Sequence, residues 1–330
     1  MATSKFPIYR LEDRSATEIG REDDGRFFKY WANGTKLGRC LFKAAFPYDS
    51  SVDSQHTTGE ALLTPRFRQQ HRMDWREKVA AQLGKLLGLP MAQTELATIY
   101  LPQNDTWISG SISIDHTPSV GEVISLRRFL SQVDPNYDSA YSESFEDGYN
   151  VSNVMFYLEQ NSVGLPLSWN RIEGIEDGSD LLVGYLLLDA WLGATDRHDE
   201  NLEIAISESG YSLCPTFDHG DCLGSKLDRD QQQSGNFTDP RLMESCWWET
   251  QTIDGRSETV EITTIRAVEI AAKIRPSAAI IWVERLRQID LSQIADIFSC
   301  IPDDLIMLNE TRFSIELLEY NRQQVFKLKL

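Results

Sequence analysis

Apolar and polar positions change their rhythm near residue 117. Before that point the apolar positions favour strands. "RFFKYWANGTKLGRCLFKAAF" (26–46) has two β-rich runs around Asn33-Gly34, a dipeptide suited to the tight turn of a hairpin. "TELATIYLPQNDTWISGSISID" (94–115) gives two further strands around a polar turn. Between them, "DWREKVAAQLGKLLGLP" (74–90) repeats Val79, Leu83, Leu86 and Leu87 at helical spacing and stops at Gly88 and Pro90. Residues 1–116 are therefore predicted as a small β-rich lobe with one helix.

After a hinge near Asp115–Ser119 the pattern becomes helical. "VGEVISLRRFLSQV" (120–133) reads as a helix, and "DPNYDSAYSESFEDGYN" (134–150) as an acidic surface insert. Leu181–Ala194, "LLVGYLLLDAWLGA", is apolar nearly all round, as a helix in a domain centre must be. Four amphipathic helices follow in "TTIRAVEIAAKI", "PSAAIIWVERLRQI", "LSQIADIFSCI" and "TRFSIELLEYNRQQVFKL". Pro276 suits the start of the second. Residues 117–330 are predicted as a larger, mainly α-helical lobe, which makes the chain α+β and bilobal.

The chemistry concentrates after the apolar helix. "NLEIAI" and "YSLCPTFD" read as a hairpin, Leu202–Ile206 against Tyr211–Phe217, turning between Glu208 and Ser209. That register sets Asn201 opposite Thr216 and brings Asp218 beside Asn201, with Asp196 and His198 in the loop leading in. An amide oxygen and a carboxylate suit Mg²⁺, which takes a few protein oxygens and completes its shell with water and phosphate. A carboxylate five residues before the Asn can orient a hydroxyl and accept its proton during phosphoryl transfer. The alternative is a polar turn whose Asp and Asn side chains cap backbone groups. Asp189, inside the apolar helix, reads as structural, bonding backbone donors of the following loop, with a catalytic role as the alternative.

Charge and cysteines narrow the partners. The formal net charge of −18 opposes general affinity for nucleic acid or anionic membrane. One basic stretch, "PRFRQQHRMDWREK", gathers Arg66, Arg68, His71, Arg72, Arg76 and Lys78. It reads as a solvated loop entering a helix, or as a site for an acidic or phosphorylated partner. The five cysteines form no CxxC pair, which argues against a disulfide framework or zinc site and for a reducing cytoplasm. No secretory signal is seen, and the longest apolar run is too short to span a bilayer.

"GATDRHDENLEI" followed by "LCPTFDHGDCLGS" resembles the catalytic core of the HipA-like kinases, a branch of the protein-kinase-like superfamily. "DWREKVAAQLGKLLGLPMAQTELA" is similar to the helix and strand of their small lobe, and "KYWANGTKLGRCLFK" to the hairpin that carries their nucleotide-binding lysine. The resemblance runs from about Gly20 to Ser225. It implies a bilobal protein-kinase-like fold, ATP and Mg²⁺ as cofactors, and transfer of the γ-phosphate to a Ser/Thr hydroxyl of a protein substrate, with a regulatory protein as a further partner. Residue by residue, it implies a catalytic base at Asp196, metal ligands at Asn201 and Asp218, and Lys43 on the α/β-phosphates. Glu77 would pair with Lys43, with Glu60 as the fallback. His198 would position the loop or contact phosphate. Thr17, Gly20 and Asp115 complete the residues assigned to the nucleotide, and Ser15 and Thr17 offer hydroxyls for autophosphorylation. His219-Gly220 stands where ordinary protein kinases have Phe-Gly.

Three features depart from the pattern. "SATEIGREDDG" (15–25) has no G-x-G-x-x-G and carries several acids. The chain starts roughly where the kinase lobe of the longer HipA proteins starts, so a toxin role with a DNA-binding antitoxin is not implied. A polar run, "SKLDRDQQQSGNFTDP" (225–240), stands in place of a recognisable activation segment. A nucleotide-binding pseudokinase scaffold, a lipid or small-molecule kinase, and AMP transfer remain as alternatives.

Overall fold

The computed structural model describes residues 4–11, 17–18, 27–35, 37–47, 72–101, 106–115, 121–134, 137, 149–253 and 256–330. The N-terminal part is built on strands β1 (Ile8–Leu11), β2 (Thr17–Glu18), β3 (Phe27–Thr35) and β4 (Gly38–Pro47), helix α1 (Asp74–Leu87), and strands β5 (Thr94–Leu101) and β6 (Thr106–Ile114). They form one six-stranded sheet in the order β1-β5-β6-β4-β3-β2. Only β1 pairs in parallel, with β5.

Strand alternation splits the sheet's side chains between two faces. Tyr30, Ala32, Cys40, Phe42 and Ile112 share one face and bury one another in a cluster of their own. Lys43, opposite Ser111 and hence in line with Leu96, points to the other. Leu96 packs there with Trp75, Val79 and Leu83 of α1, so Lys43 lies on the face that α1 covers. The helix ends as its sequence predicts: Gly88 is left-handed at φ 92° and its N–H caps Gly84 and Lys85 carbonyls. The hairpin turn, however, is displaced. Asn33-Gly34 lies inside β3 at a register shift, and the last pair is Thr35 with Gly38.

The remainder comprises strand β7 (Glu122–Ser125), helices α2 (Leu126–Val133), α3 (Val151–Gln160) and α4 (Gly178–Leu192), strands β8 (Glu203–Ser207) and β9 (Gly210–Leu213), and helix α5 (Arg229–Ser234). Then come strands β10 (Glu244–Ile253) and β11 (Arg256–Thr263) and helices α6 (Thr264–Ile274), α7 (Pro276–Arg287), α8 (Leu291–Ser299) and α9 (Leu308–Phe326). Every residue of α4 is buried, and α3, α6, α7 and α9 pack around it. Gly184 allows the closest approach: a Cβ there would stand 2.6 Å from Trp282 and 2.7 Å from Leu89.

Three expectations need correction. The segment read as one helix from 120 begins as β7, because β-branched Val123 and Ile124 pair with β8, and Ser125 then caps α2 by accepting the Arg128 N–H at 3.2 Å. The polar run after Ser225 contains α5, started by a capping box between Asp228 and Gln231. The antiparallel pair β10–β11 was not foreseen, although Asp254-Gly255 separates its strands in the sequence. Most of the acidic stretch 134–150 lies outside the described residues. Among the described residues no helix is long and apolar enough to cross a membrane.

Candidate active site

The site grows from the end of α4. Gly193, left-handed at φ 61°, stops the helix, and the chain enters the loop that carries Asp196, His198 and Asn201. Arg197 anchors this loop. Its guanidinium bonds both carboxylate oxygens of Asp189 at 2.9 Å, and its Nη1 donates to the carbonyls of Asn201 (2.7 Å) and Phe217 (3.0 Å). One buried cation thus ties the apolar helix, the metal-ligand candidate Asn201 and the residue before Asp218 together. Asp189 is structural, as expected, but its side chain holds the Arg197 guanidinium rather than backbone donors. Burial works against the charge on Arg197, and the Asp189 carboxylate more than offsets it, so the guanidinium stays charged.

Further bonds fix the loop. Asp199, fully buried, accepts Arg127 at 2.9–3.1 Å and the Tyr137 hydroxyl. Tyr149 donates to the Arg197 carbonyl at 2.9 Å, and the Thr195 N–H to the Asp221 carbonyl at 3.1 Å. Arg197, Asp199, Tyr149 and Arg127 were not singled out from the sequence. The signal for the first was present, a basic residue between two loop acids eight positions after a buried Asp.

The hairpin has the register read from the sequence, Ile204 opposite Leu213 and Ser207 opposite Gly210, although β9 ends at Leu213 rather than Phe217. Cys214 still donates to the Glu203 carbonyl at 2.9 Å, which extends the pairing toward Asn201. Asp218 sits at φ 56°, a conformation that a non-glycine residue adopts only when its surroundings enforce it. Its Oδ1 accepts Lys43 Nζ at 2.5 Å, so the sheet and the helical part meet through this ion pair. Despite burial, Lys43 and Lys29 hold the Asp218 carboxylate far below its ordinary range. Asp196 moves the opposite way: burial and the charges of Asp218 and Asp221 raise it.

The donor set fits a small hard cation. Asn201 Nδ2 donates to the Asp196 carbonyl at 2.6 Å, which commits the nitrogen and turns the amide oxygen away as a free acceptor. With Asp218 this offers one neutral and one anionic oxygen. Among the described residues no group of three or more His, Cys, Asp or Glu is arranged to hold a metal. A cation here would therefore take few protein ligands, as Mg²⁺ does. All five cysteines are free thiols.

The other expected residues fall as follows. Lys43 makes its ion pair with Asp218 and not with Glu77, which acts on Lys43 only through its charge. Glu77 is buried, and its Oε1 lies 3.9 Å from His219 Nδ1. His219, itself buried, shares a hydrogen bond of 3.1 Å with Thr216. His198 Nδ1 accepts the Glu200 N–H at 3.2 Å, a bond within the loop backbone. Asp115 directly follows β6. Its carboxylate is 3% exposed and accepts Arg39 at 3.0 Å, because β6 ends opposite Arg39. Thr17 pairs with Trp31 in the edge strand. Gly20, Ser15 and Glu60 lie outside the described residues, as do Arg66, Arg68 and His71 of the basic stretch. The described members of that stretch are engaged within the fold: Arg72 with Asp74, Arg76 buried near Glu310, and Lys78 with Glu95.

No family model matches the sequence, and no curated protein matches it. Solved structures do. Over 98% of this chain and 100% of the other, the fold superposes on the Helicobacter pylori proinflammatory kinase CtkA with a TM-score of 0.58 at 16% identity. The chain has a HipA-like, protein-kinase-like fold. Shewanella oneidensis HipA, in its toxin–antitoxin complex with HipB and operator DNA, matches over 96% of this chain and 66% of its own, with a TM-score of 0.51 at 12% identity. In this kinase-like fold the β-sheet part precedes the helical part, and the Lys43–Asp218 pair joins them.

Proposed function

We propose that this chain is an ATP- and Mg²⁺-dependent kinase that transfers the γ-phosphate to a Ser or Thr hydroxyl of a protein. The observation that carries this reading is the convergence of Lys43 from the sheet, Asp218 and Asn201 from the hairpin ends, and a carboxylate of raised proton affinity, Asp196. Asp196 is suited to accept the hydroxyl proton as the oxygen attacks phosphorus. Asn201 and Asp218 would hold the metal, which neutralises phosphate charge when bound. Lys43 would bind the phosphates, and Arg197 ties the backbone of Asn201 and of Phe217, the residue before Asp218, to Asp189. Catalysis of this type rests on positioning and electrostatics more than on covalent chemistry.

Proteins are favoured over anionic lipids as substrates because a net charge of −18 repels a negatively charged membrane surface. The same charge disfavours direct DNA contact, so any regulatory partner is expected to be a protein. Transfer from γ-labelled ATP in cell extract tests the reading. Label on a protein is expected with wild type, and a loss of about 10²–10⁴-fold with Asp196→Ala. Nucleotide binding without Asp196-dependent label on protein, lipid or small molecule would favour a pseudokinase scaffold, and label from the α-position would mean AMP transfer.

A further inference from the structure

Asp218 sits in a turn that few backbone bonds secure. Among the described residues no N–H from 217 to 222 donates to a backbone carbonyl, yet the left-handed φ of 56° at Asp218 has to be enforced from outside. Before Asp218 the chain is well tied. The Thr216 N–H donates to the Pro90 carbonyl at 3.0 Å, the Thr216 carbonyl accepts the Ala92 N–H at 2.9 Å, and Arg197 holds the Phe217 carbonyl. After Asp218 the first anchor is a side chain. His219 Nε2 shares its 3.1 Å hydrogen bond with the Thr216 hydroxyl, which joins the two flanks of Asp218. Its Nδ1 lies 3.9 Å from Glu77 Oε1 in α1. Both side chains are buried, and among the described residues neither His219 Nδ1 nor Glu77 Oε2 has a hydrogen-bond partner. A ring N–H and a carboxylate that face each other away from water offset each other's cost of burial. The chain passes close to α1 here: a Cβ on Gly220 would stand 3.0 Å from Met73 Cβ and 3.5 Å from Glu77 Oε2.

We propose that His219 is a positioning residue of the candidate metal site. Through Thr216 its ring closes the turn around Asp218, and through Glu77 it ties that turn to α1. The inference deepens the kinase reading and rests on it in taking Asp218 as a metal ligand. The position of one ring proton follows from the partners. A carboxylate accepts and does not donate, so His219 Nδ1 carries a proton toward Glu77. The Asp218 side chain is aimed by the backbone on either side of it, so freeing one flank frees the carboxylate. Groups that orient a ligand in this way without touching the metal change metal affinity by about 10–100-fold when they are replaced.

Calorimetric binding of ATP with and without Mn²⁺ to wild type, His219→Phe, Thr216→Val and Thr216→Ser tests the role. In wild type Mn²⁺ is expected to tighten ATP binding. His219→Phe, which keeps an aromatic ring but neither nitrogen, should cut that gain about tenfold or more and leave metal-free ATP affinity unchanged. Thr216→Val should cut it in smaller measure, and Thr216→Ser, which keeps the hydroxyl, should restore it. A merely structural part for the ring would weaken ATP equally with and without the metal. That result, or a Mn²⁺ gain untouched by His219→Phe, would overturn the assignment. A second measurement needs no change at His219. In ¹⁵N-histidine spectra of the wild type, its resonances being those that Thr216→Val moves, Nδ1 is expected to carry a proton, and a bare Nδ1 would overturn the brace to Glu77. Wild type whose ATP binding ignores Mn²⁺ would instead overturn the metal site and the kinase reading, and the role of His219 with them.

Discussion

Asp196 and Asp218 lie in one site yet their proton affinities are shifted in opposite directions, and the difference is set by their neighbours. Lys43 is bonded to Asp218, whereas Asp196 faces burial and two other carboxylates. The sign for stability follows. A carboxylate whose folded pKa is raised costs nothing below the unfolded value of 3.8; the cost grows as pH rises from there and is complete above the folded value. Asp218 behaves conversely. Its stabilisation is complete above 3.8 and is lost as pH falls toward its lowered folded value. Asp196→Asn is therefore expected to raise the urea midpoint at neutral pH, with the gain vanishing below pH 3.8, while abolishing phosphate transfer. A midpoint lowered at neutral pH would contradict this account. The residue proposed to accept the hydroxyl proton is also one that the fold holds at a cost.

At the scale of elements, the decisive joint is between α4 and the loop that follows it. Arg197 and Asp189 are each about 3% exposed, and removing one partner leaves the other buried and unpaired. Arg197→Met is expected to lower stability by about 3–5 kcal/mol in chemical denaturation. The double change Arg197→Met with Asp189→Leu should recover much of that stability without recovering activity, since the carbonyls of Asn201 and Phe217 lose their common donor. The sequence showed the elements here more clearly than their fastening. The β8–β9 register was readable because alternation fixes which residues face each other once a turn is centred. Asp196, Asn201 and Asp218 stood out because hard oxygen ligands in a short span have few other uses. Arg197 did not, since a charged residue in a polar loop looks solvated until the acid it meets is known to be buried. Nor did Val123 and Ile124 declare themselves as a strand, because they run directly into α2 with no turn residues between. The place of Asp115 at the hinge likewise says nothing of Arg39 on the neighbouring strand.

For the whole molecule, the net charge of −18 and the ammonium of Lys43 would pull a nucleotide in opposite senses. Long-range repulsion is screened within roughly 10 Å at 0.1 M salt, whereas the proposed contact of phosphate with Lys43 would be made at short range. The association rate of ATP is accordingly expected to rise with ionic strength at low salt in stopped-flow measurements, the reverse of ordinary electrostatic steering. A rate that fell with salt would show that the cleft's local field dominates the approach. One last feature bears on how the molecule is made. Phe6 donates its N–H to the Cys300 carbonyl, and Lys5 bonds the Ile301 carbonyl and Asp303. β1 can join β5 once residue 101 has left the ribosome, but the bonds of Lys5 and Phe6 have no partner until some 200 residues more have been translated. Residues 5 and 6 are thus made before the rest of the sheet but fastened only after α8, and the sheet must persist through that interval with the strap undone.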